Sequence, residues 1–286
     1  MLFSIMRAHQ NLLKIAALWS LAAMACGQAA GTGPAPGTAE KSWRLGAAFG
    51  YGQRTNPLIQ SDDIPVLVDL DIAWFGKRWF FDNGDLGFTM HEGARSTTSL
   101  VARVNSDRVF FAKTNTRYVQ LGYAANGVPP AQLINPAPVE PPDRDYAIEL
   151  GVESLIDGDW GAATLRAFHD VSGTHRGYEL AAYYSRRFTT GRFSFEPTVG
   201  ASYKSDRLND YYWGVHPDEA SIALPEYHAG AGLNFEGGLV ANYYFSRNLR
   251  FAMSVNYERL SDEIVGSPLT EENHVLAYFS GLAWTF

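Results

Sequence analysis

The stretch Arg192–Lys204, "RFSFEPTVGASYK", decides how the rest of the chain is read. Taken by twos, Phe193, Phe195, Pro197, Val199, Ala201 and Tyr203 share one face. Arg192, Ser194, Glu196, Thr198, Gly200, Ser202 and Lys204 share the other. A period of two is the signature of a β-strand. Its length matches the roughly nine to eleven residues that a tilted strand needs to cross a bilayer. One face is apolar throughout and the other carries charge.

The pattern recurs along the chain. Leu249, Phe251, Met253, Val255 and Tyr257 oppose Arg250, Ala252, Ser254, Asn256 and Glu258. Val66, Val68, Leu70, Ile72 and Trp74 oppose Asp69 and Asp71, and Tyr146, Ile148, Leu150 and Val152 oppose Glu149 and Glu153. The last residues, "VLAYFSGLAWTF" (Val275–Phe286), put Leu276, Tyr278, Leu282, Trp284 and Phe286 on a bulky face. Ala277, Phe279, Gly281, Ala283 and Thr285 form a mostly small one.

A soluble sandwich also alternates, but its turns are often of similar length at both ends. Here tight turns at Asp157-Gly158, Thr189–Gly191 and Ser246–Asn248 alternate with long stretches such as Thr114–Arg144 and Ser205–Gly232. Short turns at one end and long loops at the other belong to outer-membrane barrels. Aromatic residues, 14% of the chain, crowd the strand ends where an interfacial girdle lies. Arg7 and Lys14 precede an apolar run, Ile15–Ala25, followed by small residues through Ala29. That arrangement reads as a secretory signal peptide over 1–29 and takes the single cysteine, Cys26, with it. Residues 30–42 read as a flexible periplasmic lead. An exported chain of net charge −7 is a poor partner for nucleic acid.

Counting back from Phe286 gives an all-β, antiparallel up-and-down transmembrane barrel of about twelve strands over 43–286. Fusing the short pair around Asn83-Gly84 would give ten. An even count puts both termini in the periplasm. Pro197 within a strand removes one ladder donor in a wall that has no edge. Phe286 is read as an assembly signal for the barrel-assembly machinery, its outward ring landing at the periplasmic interface. Asp69, Asp71, Glu149, Glu153, Arg192, Glu196, Lys204, Arg250 and Glu258 are expected to face the lumen. The four acids are expected to pair with Arg192, Lys204 or Arg250 and to plug it. Outer-membrane lipid covers the other face.

The histidines show no catalytic spacing in the sequence. No HExxH or Cys-x-x-Cys spacing occurs, so no metal or cofactor is expected. His169 with Ser172 or His175 reads as loop polarity rather than as a nucleophile and its base.

A resemblance enters at "NDYYWGVHPDEA" (Asn209–Ala220) and "RLSDEIVGSPLTEE" (Arg259–Glu272), followed by the terminal Phe strand. These stretches, with "LGAAFGYG", "PVLVDLDIAWFGKRWFF" and "HRGYELAAYYSRRF", resemble the MipA/OmpV family of outer-membrane proteins. The matching signature residues are Tyr211, Tyr212, Gly214, Val215, Glu219, Ala220, Ser261, Asp262, Ser267 and Pro268. The family name comes from interaction with a membrane-bound lytic transglycosylase. The resemblance therefore implies a non-enzymatic scaffold gathering murein-hydrolysing and murein-synthesising enzymes, a lytic transglycosylase and a murein synthase among them. Other relatives are described as porin-like or adhesive, which leaves a narrow channel or an adhesin as the alternative. A structural role for the signature is the other reading, with Glu219 and Asp262 satisfying backbone donors. The proline-rich stretch 126–145 looks longer than the family's usual connection.

Overall fold

A computed structural model describes residues 42–111 and 140–286. The expected signal peptide, the lead up to Ser42 and most of the proline-rich stretch lie outside those residues. Alternating apolar and polar residues form β1 (Ser42–Arg54), β2 (Ile64–Phe75), β3 (Trp79–Asp82), β4 (Asp85–Glu92) and β5 (Ser96–Val104). They continue as β6 (Ile148–Gly158), β7 (Gly161–Asp170), β8 (Tyr178–Ser185), β9 (Phe188–Thr190) and β10 (Phe193–Lys204). β11 (Gly232–Tyr244), β12 (Leu249–Arg259) and β13 (His274–Thr285) complete the wall. Neighbours are antiparallel throughout, and β13 returns to pair with β1 from Gly46↔Thr285 to Arg54↔Ala277. β8 and β9 both pair with β10, so they share one position in a closed barrel of twelve strands.

The interruption between β8 and β9 answers the question Pro197 raises. The β8–β10 ladder starts at Thr198↔Ser185, and the β9–β10 ladder ends at Phe195↔Phe188. The Pro197 carbonyl accepts the Arg186 N–H at 3.3 Å, so the proline nitrogen faces that same neighbour. The wall breaks its ladder where no donor exists, while Pro197↔Leu239 stays in register on the other side. Asn83-Gly84 is a true hairpin turn. Both residues have positive φ, 49° and 109°, as a two-residue turn matching strand twist demands. Twelve strands therefore hold, and ten do not.

Two side chains depart from simple alternation. Val66 was expected on the lipid face with Val68, but it is buried inside with Ala48, Ala252, Phe279 and Ala283. A register shift between Phe49 and Gly52 turns both Leu67 and Val68 outward, so Val66 and Ile64 on its loop side face inward while Asp69 and Asp71 keep their expected face. Tyr146 precedes β6 instead of belonging to it, and its ring lies under the Arg108 guanidinium beside the interior cavity. Elsewhere Phe195, Val199, Leu239, Met253, Val255 and Leu282 stand exposed on the outer wall, a band that is stable only against lipid.

Inside the wall, three cross-strand pairs set an aromatic ring over a glycine directly opposite: Phe80↔Gly87, Phe168↔Gly151 and Tyr183↔Gly200. A Cβ on those glycines would lie 2.0, 2.5 and 2.2 Å from the ring atoms, so each ring fills the space that the missing side chain leaves.

Candidate functional site: a charged interior beneath a loop cap

The largest buried apolar cluster lies outside the barrel wall. It is built from the loops at one end: Leu58 between β1 and β2, Phe110 and Phe111 after β5, and Leu208, Tyr212, Trp213 and Val215 after β10. Leu260, Ile264 and Leu269 after β12 join it. The long stretch after β10, expected as a long loop, holds an α-helix, Asp206–Trp213. Ser205 caps its N-terminus by accepting the Leu208 N–H, and its fully buried residues Leu208 and Tyr212 sit one turn apart. Phe110 and Phe111 enter through a 3₁₀ turn, Asp107–Phe111, and pack against Trp213 with ring centroids 5.9 and 5.7 Å away.

Most signature residues belong to this cap. Tyr212 and Val215 are fully buried, and Val215 exchanges backbone hydrogen bonds with Tyr227. Tyr211 accepts the Asp145 N–H on its hydroxyl at 2.9 Å, and Tyr212 donates its own to the Asp145 carbonyl at 3.3 Å. A side chain at Gly214 would strike the Asp210 carbonyl, 2.3 Å from its Cβ. Arg144 grips both carboxylate oxygens of Glu219 and donates to the Gly214 carbonyl at 2.9 Å. Glu219 also accepts the His216 N–H at 3.1 Å, the backbone role foreseen for it. Burial opposes the Glu219 charge, but the Arg144 and His216 hydrogen bonds outweigh it and hold the carboxyl below the ordinary glutamate range. Ser267 donates its hydroxyl to the Trp213 carbonyl, joining the two signature segments, with Pro268 next to it. Ser261 N-caps the short helix Asp262–Val265 without a side-chain cap bond, and its N–H reaches Asn234 at 2.9 Å. The Asp262 carboxylate satisfies no backbone donor among the described residues, in contrast to expectation; its carbonyl accepts the Gly266 N–H. Ala220 is exposed.

Below the cap lies a cavity of about 610 Å³, reaching from Asp107 and Tyr146 to Arg250 and Thr285. Asp69, Asp71, Glu153, Glu196, Lys204, Arg250 and Glu258 line it, and Glu149 is wholly buried in its wall. Arg192 does not join them. It stands exposed beside Gly191 in the turn before β10, where strand alternation no longer fixes its side.

Asp71, Glu149 and Glu153 take partners other than the expected Arg192, Lys204 and Arg250. Arg44 bridges Asp71 at 3.0 Å and Asp82 at 2.9 Å. Arg103 bridges Glu149 at 2.8 Å and Glu179 at 2.9 Å, lying 3.8 Å over the Phe168 ring. Arg166 meets Glu153 at 2.6 Å, and Arg187 meets Glu196 at 2.7 Å. Lys204 instead holds Asp107 at 2.7 and 2.9 Å, tying the cap to the wall; Trp213 Nε1 donates to the same carboxylate at 3.4 Å. Arg250 donates to Asn242 and Thr285. Glu258 accepts from Asn234 at 2.7 Å and lies opposite Glu236 in register. Strand parity identifies such residues as inward, and Arg103, Arg166 and Glu179 carry that signal in the sequence. Which ones meet depends on register.

Ser172 and His175 occupy a loop turn organised by Asp170. That carboxylate accepts Ser172 Oγ at 2.6 Å and the N–H groups of Ser172, Gly173, His175 and Arg176. His175 accepts the Gly177 N–H on Nδ1, and its Nε2 stands 3.3 Å from Glu149, while His169 points outward. At the opposite end of the barrel, Phe286 is 78% exposed and donates its N–H to the Leu45 carbonyl at 2.8 Å.

A family model described as MltA-interacting protein MipA matches residues 45–286. The outer membrane protein Omp26La of Vibrio anguillarum is 28% identical over 45% of this chain and 50% of its own length. The putative outer membrane protein YiaT of Escherichia coli is 27% identical over 50% of this chain and 58% of its own. The MltA-interacting protein of Escherichia coli is 29% identical over 35% and 41%. The chain thus spans about half the length of the curated relatives it matches. Among solved structures, a loop-deletion mutant of OmpT from Vibrio cholerae covers 86% of the chain and 99% of its own, with 8% identity and a TM-score of 0.33.

Proposed function

Because the chain belongs to the MltA-interacting protein MipA family, an outer-membrane barrel family, we propose that it acts as a non-enzymatic, non-conducting scaffold. On this reading it gathers murein-hydrolysing and murein-synthesising enzymes, a lytic transglycosylase first, beneath the outer membrane. One observation carries the proposal. Ion pairs line the inner wall between neighbouring strands, Arg103 reaches on to Glu179 of β8, and the loop cap is bound over the mouth through Lys204–Asp107. A barrel closed in this way has no evident transport task and offers its rim and turns as binding surface. Phe286, exposed at the end of the last strand, is the proposed signal to the barrel-assembly machinery.

The narrow channel is the second reading, favoured by the cavity, where carboxylates outnumber cations. Planar-bilayer recording separates the two: the scaffold reading expects no steady single-channel steps, and their appearance refutes closure. Cross-linking whole envelopes and purifying the native chain should recover cell-wall enzymes; their absence refutes the scaffold. Deleting Phe286 should reduce the amount of folded barrel in the outer membrane.

A further inference from the structure

The two ends of the barrel carry opposite charge. At the loop end Asp62, Asp63, Asp218, Glu226, Glu271 and Glu272 are exposed and outnumber the exposed Arg176, Arg207 and Arg259. At the short-turn end Lys77, Arg78, Arg95, Arg186, Arg192 and Arg247 are exposed, against the exposed carboxylates Glu92, Asp157 and Asp159. Among the described residues none of these six cations has an ion-pair partner, so the charge is not consumed within the fold. They come from turns after β2, β4, β8, β9 and β11, which distributes them around the rim instead of gathering them into one patch.

Two of them reveal the direction in which the rim faces. Arg78 lies 5.9 Å over the Phe88 ring, and Arg186 lies 5.3 Å over the Phe188 ring. Both rings belong to the lipid-facing wall: Phe88 packs on exposed Trp79, and Phe188 stacks on exposed Phe195. These guanidiniums therefore lean outward along the barrel's flank, at the level of the aromatic girdle, where phospholipid headgroups lie. A single protein partner would be met better by a cluster over the mouth.

We propose that this rim is a binding surface for acidic phospholipids of the periplasm-facing leaflet, their phosphates taken by the outward Arg and Lys side chains. Arginine suits the task because its fork bonds phosphate with two parallel N–H groups. The acidic loop end repels anionic headgroups, so the two ends together bias the barrel toward a membrane whose inner leaflet carries the acidic lipid.

The protein contains its own reporter. Trp43, Trp74, Trp79, Trp160 and Trp284 sit at the short-turn end, and Trp213 alone among the described tryptophans is in the cap. The full chain is reconstituted in phosphatidylcholine vesicles in which either phosphatidylglycerol or phosphatidylcholine is brominated, and tryptophan quenching gives the relative association constant. The expected preference for phosphatidylglycerol is about threefold at low salt. It should fall toward one at about 0.5 M salt. It should also fall toward one in a variant with all six cations changed to Gln. If that variant does not reach the folded, heat-modifiable form, Arg78→Gln with Arg186→Gln and Arg247→Gln should still halve the preference. No preference in the wild type overturns the proposal, and is the result expected if the rim serves an acidic protein instead. A preference that survives the substitutions, or that about 10 mM inorganic phosphate abolishes by competing as a free anion, overturns it as well.

Discussion

Replacing Lys204 with methionine tests whether the cap is bound to the barrel by charge. The ammonium group meets both oxygens of Asp107, and the side chains are only 6% and 4% exposed. Methionine retains the bulk and removes the charge, leaving a buried carboxylate whose remaining partner is the longer Trp213 contact. Breaking a buried pair from one side costs about 3–5 kcal/mol, because the surviving charge is left without compensation. So little solvent reaches these groups that no large discount for screening applies. With a urea slope of about 3 kcal/mol/M, the unfolding midpoint should fall by about 1–1.7 M. Removing the partner as well, in Lys204→Met with Asp107→Leu, should restore most of the loss, because two apolar groups leave nothing unpaired. The measurement is urea unfolding in detergent micelles, followed by tryptophan fluorescence and by loss of the fast-migrating folded band on unheated gels. A single variant within about 1 kcal/mol of wild type, or a double variant no better than the single, refutes the reasoning.

Three further outcomes are expected. Glu196→Lys places an ammonium beside Arg187, now 2.7 Å from the carboxylate, and should destabilise the barrel, whereas exchanging the two as Arg187→Glu with Glu196→Arg should recover much of the loss in the same assay. Gly151→Ala forces a Cβ to within 2.5 Å of the Phe168 ring and 2.2 Å of the Ala167 carbonyl, and should cost about 1–3 kcal/mol. The Arg144–Glu219 clamp sets a pH dependence: its folded carboxyl titrates below the ordinary value of 4.5, so its stabilisation is complete above that value and is lost as pH falls through the lower, folded one. Proteolysis of the cap should therefore accelerate in acid below about pH 4.5, with Glu219→Gln vulnerable already at pH 7 and flatter across the range.

The wall was legible because its signal is local. In β10, β12 and β13 each face is chemically uniform, so inward and outward follow from counting by twos. The cap was not legible in that way. Its core draws on Leu58, Phe110, Trp213, Ile264 and Leu269 from four separate loops, which share no period and meet only once the barrel has brought the loops together. Local hints existed: Ser205 and Ser261 both precede acidic residues, as N-caps do, and Leu208 and Tyr212 are one helical turn apart. Val66 went astray for a third reason. A register shift that lies partly on the neighbouring strand leaves no trace in β2's own sequence.

Ion partners and register are one problem. Glu153 and Arg166 face each other, as do Arg103 and Glu149, because β5–β6–β7 are held at one offset. Sliding β7 by two residues keeps every side chain on its own face, so the hydrophobic pattern alone does not forbid it. The slide would set Arg166 opposite Gly151 or Leu155 and strand Glu153 against Thr164 or Phe168. It would also pull the Phe168 ring from the space above Gly151, and with it the surface on which Arg103 lies between Glu149 and Glu179. Ring, glycine and guanidinium thus penalise the same error together, and Phe80↔Gly87 and Tyr183↔Gly200 repeat the ring-on-glycine part in two further ladders. Buried pairs of this kind need not add stability over an apolar interior. Their contribution is to make one offset better than its even-numbered alternatives, and the Arg103–Glu149, Arg166–Glu153 and Lys204–Asp107 contacts can form only once the wall has settled there.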